Sequence, residues 1–180
     1  MDLVQLSAFL LETQPDAAES LSLDEDSPTQ RKFLARLQGE ITKRGAIDVF
    51  RHGLKHGAHD LDLFYGAPSA GNEKARTLFE ANRFSVTRQL RYRRDETQLA
   101  LDMGLFINGL PVATFELKNR LTKQTVDDAV WQYKKDRNPR ERLFEFGRCV
   151  VHFVDVQKKR ELFAQTRCTT SKGQRQGASN

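Results

Sequence analysis

Three side chains in this sequence could do chemistry together: Asp102, Glu116 and Lys118. Two carboxylates brought to one patch repel each other unless a cation compensates them. A hard divalent cation with oxygen ligands, typically Mg²⁺, would resolve that repulsion. It would also polarise a phosphodiester and help to generate hydroxide, with Lys118 positioning the attacking water or stabilising developing charge. Spacing alone equally allows a solvated polar face on which Lys118 forms an ion pair with a carboxylate.

These residues lie in the stretch 99–119, LALDMGLFINGLPVATFELKN, two alternating runs joined by Asn108-Gly109. Leu101, Met103, Leu105 and Ile107 share one face of the first run; Ala113, Phe115 and Leu117 share one face of the second. Period 2 predicts two half-buried strands, and Asn-Gly predicts a hairpin between them. A strict two-residue turn would set apolar Leu101 opposite Glu116, which conflicts with the pattern. A three-residue loop with Gly109 left-handed in a bulge restores the match and puts Asp102, Glu116 and Lys118 on one face.

Asp102, thirteen intervening residues and then Glu116-Leu117-Lys118 resemble the D…(D/E)xK motif of restriction-endonuclease-like nucleases. The wider wording FINGLPVATFELKN, followed by DDAVWQYKKDRNP and FEFGRCVVHFV, resembles the N-terminal nuclease domain of the restriction (motor) subunit of type I restriction enzymes, from about Phe33 to Val154. The resemblance implies an α/β fold of the PD-(D/E)xK type, a central mixed sheet flanked by helices. It implies Asp102 and Glu116 as metal ligands, Lys118 completing the catalytic site, and Mg²⁺ as cofactor with Mn²⁺ able to substitute. Double-stranded DNA is then the substrate, and methylation and specificity subunits the partners. ATP enters only through a motor region; no GxxxxGK[ST] phosphate loop occurs in this chain.

Related nucleases carry a glutamine and, four residues later, a tyrosine on the helix after the hairpin. Here Gln132 is followed at that spacing by Asp136, and the tyrosine is adjacent, at Tyr133, so the DNA-contacting role of the two departs from the pattern. Arg88, Arg91, Arg93 and Arg94, with Tyr92 interleaved, form either a phosphate-contacting strip or a solvated strand end. Two further readings stand beside the nuclease: a non-catalytic DNA-binding or subunit-docking module, and an inactive truncated fragment.

The composition suits one domain with its own core: 180 residues, 38% hydrophobic and 29% charged. A net charge of +5 and a pI near 9.4 favour an anionic partner, nucleic acid before membrane. There is no apolar run long enough to span a bilayer, and the acidic N-terminus lacks the pattern of a secretory leader. Cys149 and Cys168 look unpaired, as in a reducing cytoplasm.

Along the chain, residues 1–26 predict a short helix from Leu3 to Thr13 and a loop from Gln14 to Pro28. Residues 27–156 form the nuclease domain. Within it, Ser27-Pro28 opens a helix with Phe33, Leu34, Leu37 and Ile41 inward, ending before Gly45. Glu40 on that helix is either an exposed glutamate or a third active-site carboxylate. His52, His56 and His59 stand at helical intervals, but Gly53 and Gly57 argue against a helix that would align them as metal ligands. A strand follows over Leu61–Tyr65; Asp60 and Asp62 lack an ExK-like partner. A helix from Asn72 to Ala81 leads to a strand over Arg83–Tyr92, with Phe84, Val86, Arg88 and Leu90 on one face. A second helix from Thr125 to Arg137 turns Val126, Ala129, Val130 and Tyr133 to the sheet. Cys149–Val154 is a buried strand, with His152 a satisfied core residue, and 157–180 a polar, basic, disordered tail.

Overall fold

The computed structural model describes residues 1–92, 100–118, 131, 141–156 and 159–164. Asp2 caps α1 (Leu3–Thr13) by accepting the Gln5 N–H, and Leu6, Phe9 and Leu10 form its buried stripe. The loop expected after it contains a helix instead, α2 (Pro15–Leu21). Proline is tolerated at a first helical turn, and Ala17, Ala18 and Leu21 provide a buried side that the acidic flanks conceal. Ser27 Oγ accepts the Gln30 N–H at 3.0 Å to open α3 (Pro28–Arg44), which buries Phe33, Leu37 and Ile41 and stops at Gly45. The three helices share one apolar core that also takes in Leu54, Leu61, Leu63 and Leu110.

A short helix, α4 (Ala46–His52), leads into a small hairpin of β1 (Leu54–His56) and β2 (His59–Leu61). The strand expected over Leu61–Tyr65 is not formed: β2 ends at Leu61, and the next residues run unpaired in strand terms. Leu63 is nonetheless fully buried, and Tyr65 exchanges two backbone hydrogen bonds with the Asn82 side chain. Packing against the helical core and a side-chain amide here replace the ladder that alternation alone implied. α5 (Glu73–Glu80), capped by Asn72, then leads to the main sheet.

That sheet has five strands in sequence order: β3 (Phe84–Arg91), β4 (Ala100–Ile107), β5 (Leu110–Lys118), β6 (Val151–Val156) and β7 (Lys159–Ala164). Neighbours run antiparallel except β5 and β6, which are parallel, so the sheet is mixed. β7 falls inside the stretch expected to be a disordered tail. A sheet edge is held by backbone pairing on one side and tolerates polar residues, which is why composition misses it. The helix expected from Thr125 to Arg137 lies outside the described residues, apart from Trp131.

Gln89 has a left-handed φ of 51° and breaks the expected alternation of β3. Phe84 and Val86 remain opposite Ile107 and Leu105 and are exposed, whereas Leu90 packs over Gly104 beside Phe106. On the face carrying Phe84 and Val86, the rings of Phe115 and Phe153 stack at 4.7 Å.

The hairpin differs from expectation in one detail. Ile107 pairs with Leu110, so Asn108-Gly109 is a two-residue turn with φ of 47° and 78°, the mirror-image type that matches strand twist. The extra residue lies further on: Phe106 pairs with Pro111 but Leu105 with Ala113, which places the bulge at Val112. Pro111 has no N–H for the ladder, so the irregularity gathers beside it rather than at Gly109.

The turn is buried. Asn108 is 0% exposed; its Nδ2 donates to Leu63 O at 2.9 Å and Asn82 Oδ1 at 3.0 Å, and its Oδ1 accepts the Arg83 N–H at 2.7 Å. Gly109 O accepts the Asp2 N–H at 2.7 Å, and a Cβ at Gly109 would sit 2.1 Å from Asp2 O. Gly109→Ala is therefore expected to cost about 3 kcal/mol or more in urea unfolding, through steric overlap and left-handed strain. Gly57→Ala, also at positive φ but with nothing within 4 Å of the new Cβ, should cost only about 1–2 kcal/mol. Equal losses would mean that the turn does not dock on α1.

Candidate active site

β4 carries Asp102, and β5 carries Glu116 and Lys118. The β4–β5 ladder runs as far as the Met103–Phe115 pair, and continuing its register by one step would put Asp102 opposite Glu116. Cross-strand neighbours of this kind have Cβ atoms about 5 Å apart. Asp102 is half-buried, and its Oδ2 accepts the Leu117 N–H at 2.6 Å, a charge-assisted bond that ties the carboxylate to the partner strand. Its Oδ1 lies 3.5 Å from Gln89 Nε2, the residue that breaks the regularity of β3. Glu116 is only 6% exposed. Lys118 is the last residue of β5, two positions beyond Glu116, and pairs along the backbone with Val156.

Beside Glu116 on β5, Thr114 is fully buried and its Oγ1 lies 2.5 Å from Nδ1 of His152 on β6. His152 is the satisfied buried residue the sequence suggested, and Phe144 packs against its ring at 5.5 Å. Burial pushes its pKa down to about 4, so it is neutral near pH 7. The Thr114–His152 link was not foreseen, because β5 and β6 are far apart in sequence and only parallel pairing makes the two residues neighbours. Cys149, buried just before β6, has its thiol pushed up to about 11 by burial.

The remaining candidates are dispersed. Arg88 is exposed on β3 opposite Met103, and Arg91 is exposed at its end. Gln132 and Tyr133 lie outside the described residues, as do Arg93 and Arg94. Glu40 is neither exposed nor with the carboxylate pair: it is paired with Arg36 at 3.2 Å and Arg44 at 2.7 Å. The three histidines do not converge either. His52 ends α4 and pairs with Asp48, His56 packs edge-on to Phe33, and His59 sits across the small hairpin. Among the described residues no three His, Cys, Asp or Glu side chains could jointly hold a metal ion. None of the described helices is long and apolar enough to cross a membrane.

A mixed α/β protein that presents a carboxylate pair on adjacent strands of a hairpin is the class defined so far. Residues 67–161, more than half the chain and most of the sheet, match the family described as type I restriction enzyme R protein N terminus (HSDR_N). The chain belongs to that family. No curated protein and no solved structure matches it.

His152 generates a pH prediction. Its folded pKa lies below the unfolded value, so the unfolded chain takes up a proton near pH 6.5 that the native state refuses until about pH 4. Stability from this residue is therefore complete above pH 7 and falls as the pH drops through that window. Urea unfolding should show His152→Gln losing less stability than the parent chain between pH 7 and pH 4.5, by on the order of 2 kcal/mol. Parallel losses would show that the imidazole is protonated without penalty.

Proposed function

We propose that this chain is the endonuclease domain of a type I restriction enzyme R subunit, with a PD-(D/E)xK fold, and that it hydrolyses phosphodiester bonds in double-stranded DNA. One observation supports this reading: within the family-matched stretch, the Asp102 carboxylate on β4 accepts the N–H of Leu117 on β5, the residue next to buried Glu116. The donor set fits a hard cation. Magnesium is ordinarily held by one or two carboxylates, with waters and substrate phosphate completing its shell, and two carboxylates on neighbouring strands match that demand. Bound there, the ion would polarise the phosphodiester and lower the pKa of a coordinated water.

The chain's own contribution is positional. The Leu117 N–H fixes Asp102, the wall of the sheet fixes Glu116, and both are ready before substrate arrives. Lys118, next but one along β5, orients the attacking water and stabilises charge developing on the phosphate. Translocation by ATP, sequence recognition and methylation belong to other regions or subunits of a cytoplasmic restriction complex.

Supercoiled plasmid, incubated at high protein concentration with Mn²⁺ or Mg²⁺, tests the proposal. Nicking is expected from the parent chain, with a loss of at least 100-fold in Glu116→Gln and Asp102→Asn and complete suppression by chelator. Mn²⁺ should also raise the melting temperature of the parent chain and leave that of Glu116→Gln unchanged. If nicking persists in both variants, or Mn²⁺ stabilises all three chains alike, the carboxylate pair is not the metal centre.

A further inference from the structure

A second site lies on the Phe106 side of the same sheet. A half-open cavity of about 210 Å³ is enclosed by α3, the end of β3, β4, the start of β5 and the segment leading to β6. Three arginines line it, Arg91, Arg142 and Arg148, and no aspartate or glutamate among the described residues does. Leu90 and Phe106 are among the apolar residues of its wall, and Tyr92 adds a phenol ring held edge-on against Phe144 at 5.0 Å.

The charges of this cavity are only partly compensated. Arg142 donates to the neutral Gln38 Oε1 at 2.6 Å. Arg148 donates to Thr42 Oγ1 and Glu145 Oε2, both at 3.1 Å, which leaves one acidic partner for three arginines. Arg91 pairs with Ala100 along the backbone, and its side chain makes no hydrogen bond or ion pair with the described residues. The Arg148 side chain is 12% exposed, and its Nε is buried without a hydrogen-bond partner among the described residues. A buried guanidinium donor left unsatisfied beside a cavity calls for an acceptor, and its charge calls for an anion.

We propose that this cavity is a phosphate-binding site, distinct from the Asp102–Glu116 pair. Planar guanidinium groups match phosphate oxygens in geometry, and three of them on separate segments can surround one group. The cavity is too small for a large cofactor and suits a single phosphate with part of an attached sugar or base, which Tyr92 can face. Phe106 and Asp102 alternate onto one side of β4 four residues apart, about 13 Å at strand rise. A strand phosphate held here would lie on the same face as the carboxylates but a short run of chain away. Two sources share this chemistry: a phosphodiester of a DNA strand and a free phosphate.

Binding to the full chain is measured in EDTA, so that divalent cations at the carboxylate pair cannot contribute. Inorganic phosphate is titrated while the melting temperature is followed, against chloride at matched ionic strength. Saturable stabilisation specific to phosphate is expected, with affinity at least fivefold weaker in Arg91→Gln and tenfold weaker in Arg91→Gln/Arg142→Gln. Arg91→Gln alone is decisive if the double variant does not fold, because Arg91 holds no described neighbour in place. A fluorescent hexathymidylate then separates the sources: displacement by phosphate assigns the site to a DNA strand, and independent binding assigns it to a free anion. Stabilisation no greater than with chloride, or an affinity unchanged in Arg91→Gln, overturns the proposal.

Discussion

Burying a turn obliges the protein to satisfy every polar group that water would otherwise serve, and the rest of this structure follows from how Asn108-Gly109 meets that demand. The Asn108 amide bridges two separate segments: the adjacent Asn82 and Arg83 at the start of β3, and the chain at Leu63. Gly109 lets the backbone of α1 approach to hydrogen-bonding distance, which a side chain would prevent. The helical core and the sheet are thereby joined at one point, with Leu110 packed into the helical core. This is an unusual use for a residue pair more familiar at exposed hairpin tips.

From that anchor the bulge at Val112 decides which residues share a face. Had the pairing of Phe106 with Pro111 continued without interruption, Asp102 would have met Phe115. The extra residue beside Pro111 shifts the register so that Leu105 pairs with Ala113 and Met103 with Phe115.

Much of this was legible in the sequence. Alternation from Leu101 to Lys118 gave the hairpin, and Ser27-Pro28 and Asn72 marked helix starts that the structure contains. What was hidden depends on contacts distant along the chain. The bulge could be inferred from pattern conflict but not located, since its place depends on the missing N–H of Pro111. Helix α2 has a small buried side between acidic flanks, and strand β7 is held by backbone pairing with β6, neither of which composition registers. Thr114 and His152 become neighbours only through parallel pairing, and the arginine cavity draws residues from segments separated by some fifty positions. Nothing local announces either arrangement.

The docking of Gly109 against Asp2 also orders the folding of the chain in time. During synthesis the N-terminal helices emerge long before the hairpin, and their core can assemble around Phe9 and Phe33 while β4 and β5 are still to be made. The hairpin itself closes locally and quickly, but its tip finds its acceptors only on a surface already formed. The parallel pairing of β5 with β6 must wait longer, for an intervening connection of more than thirty residues. Pairing of β5 with β4 is local and pairing of β5 with β6 is not, so the side of Glu116 that faces β6 depends on the slower of the two contacts.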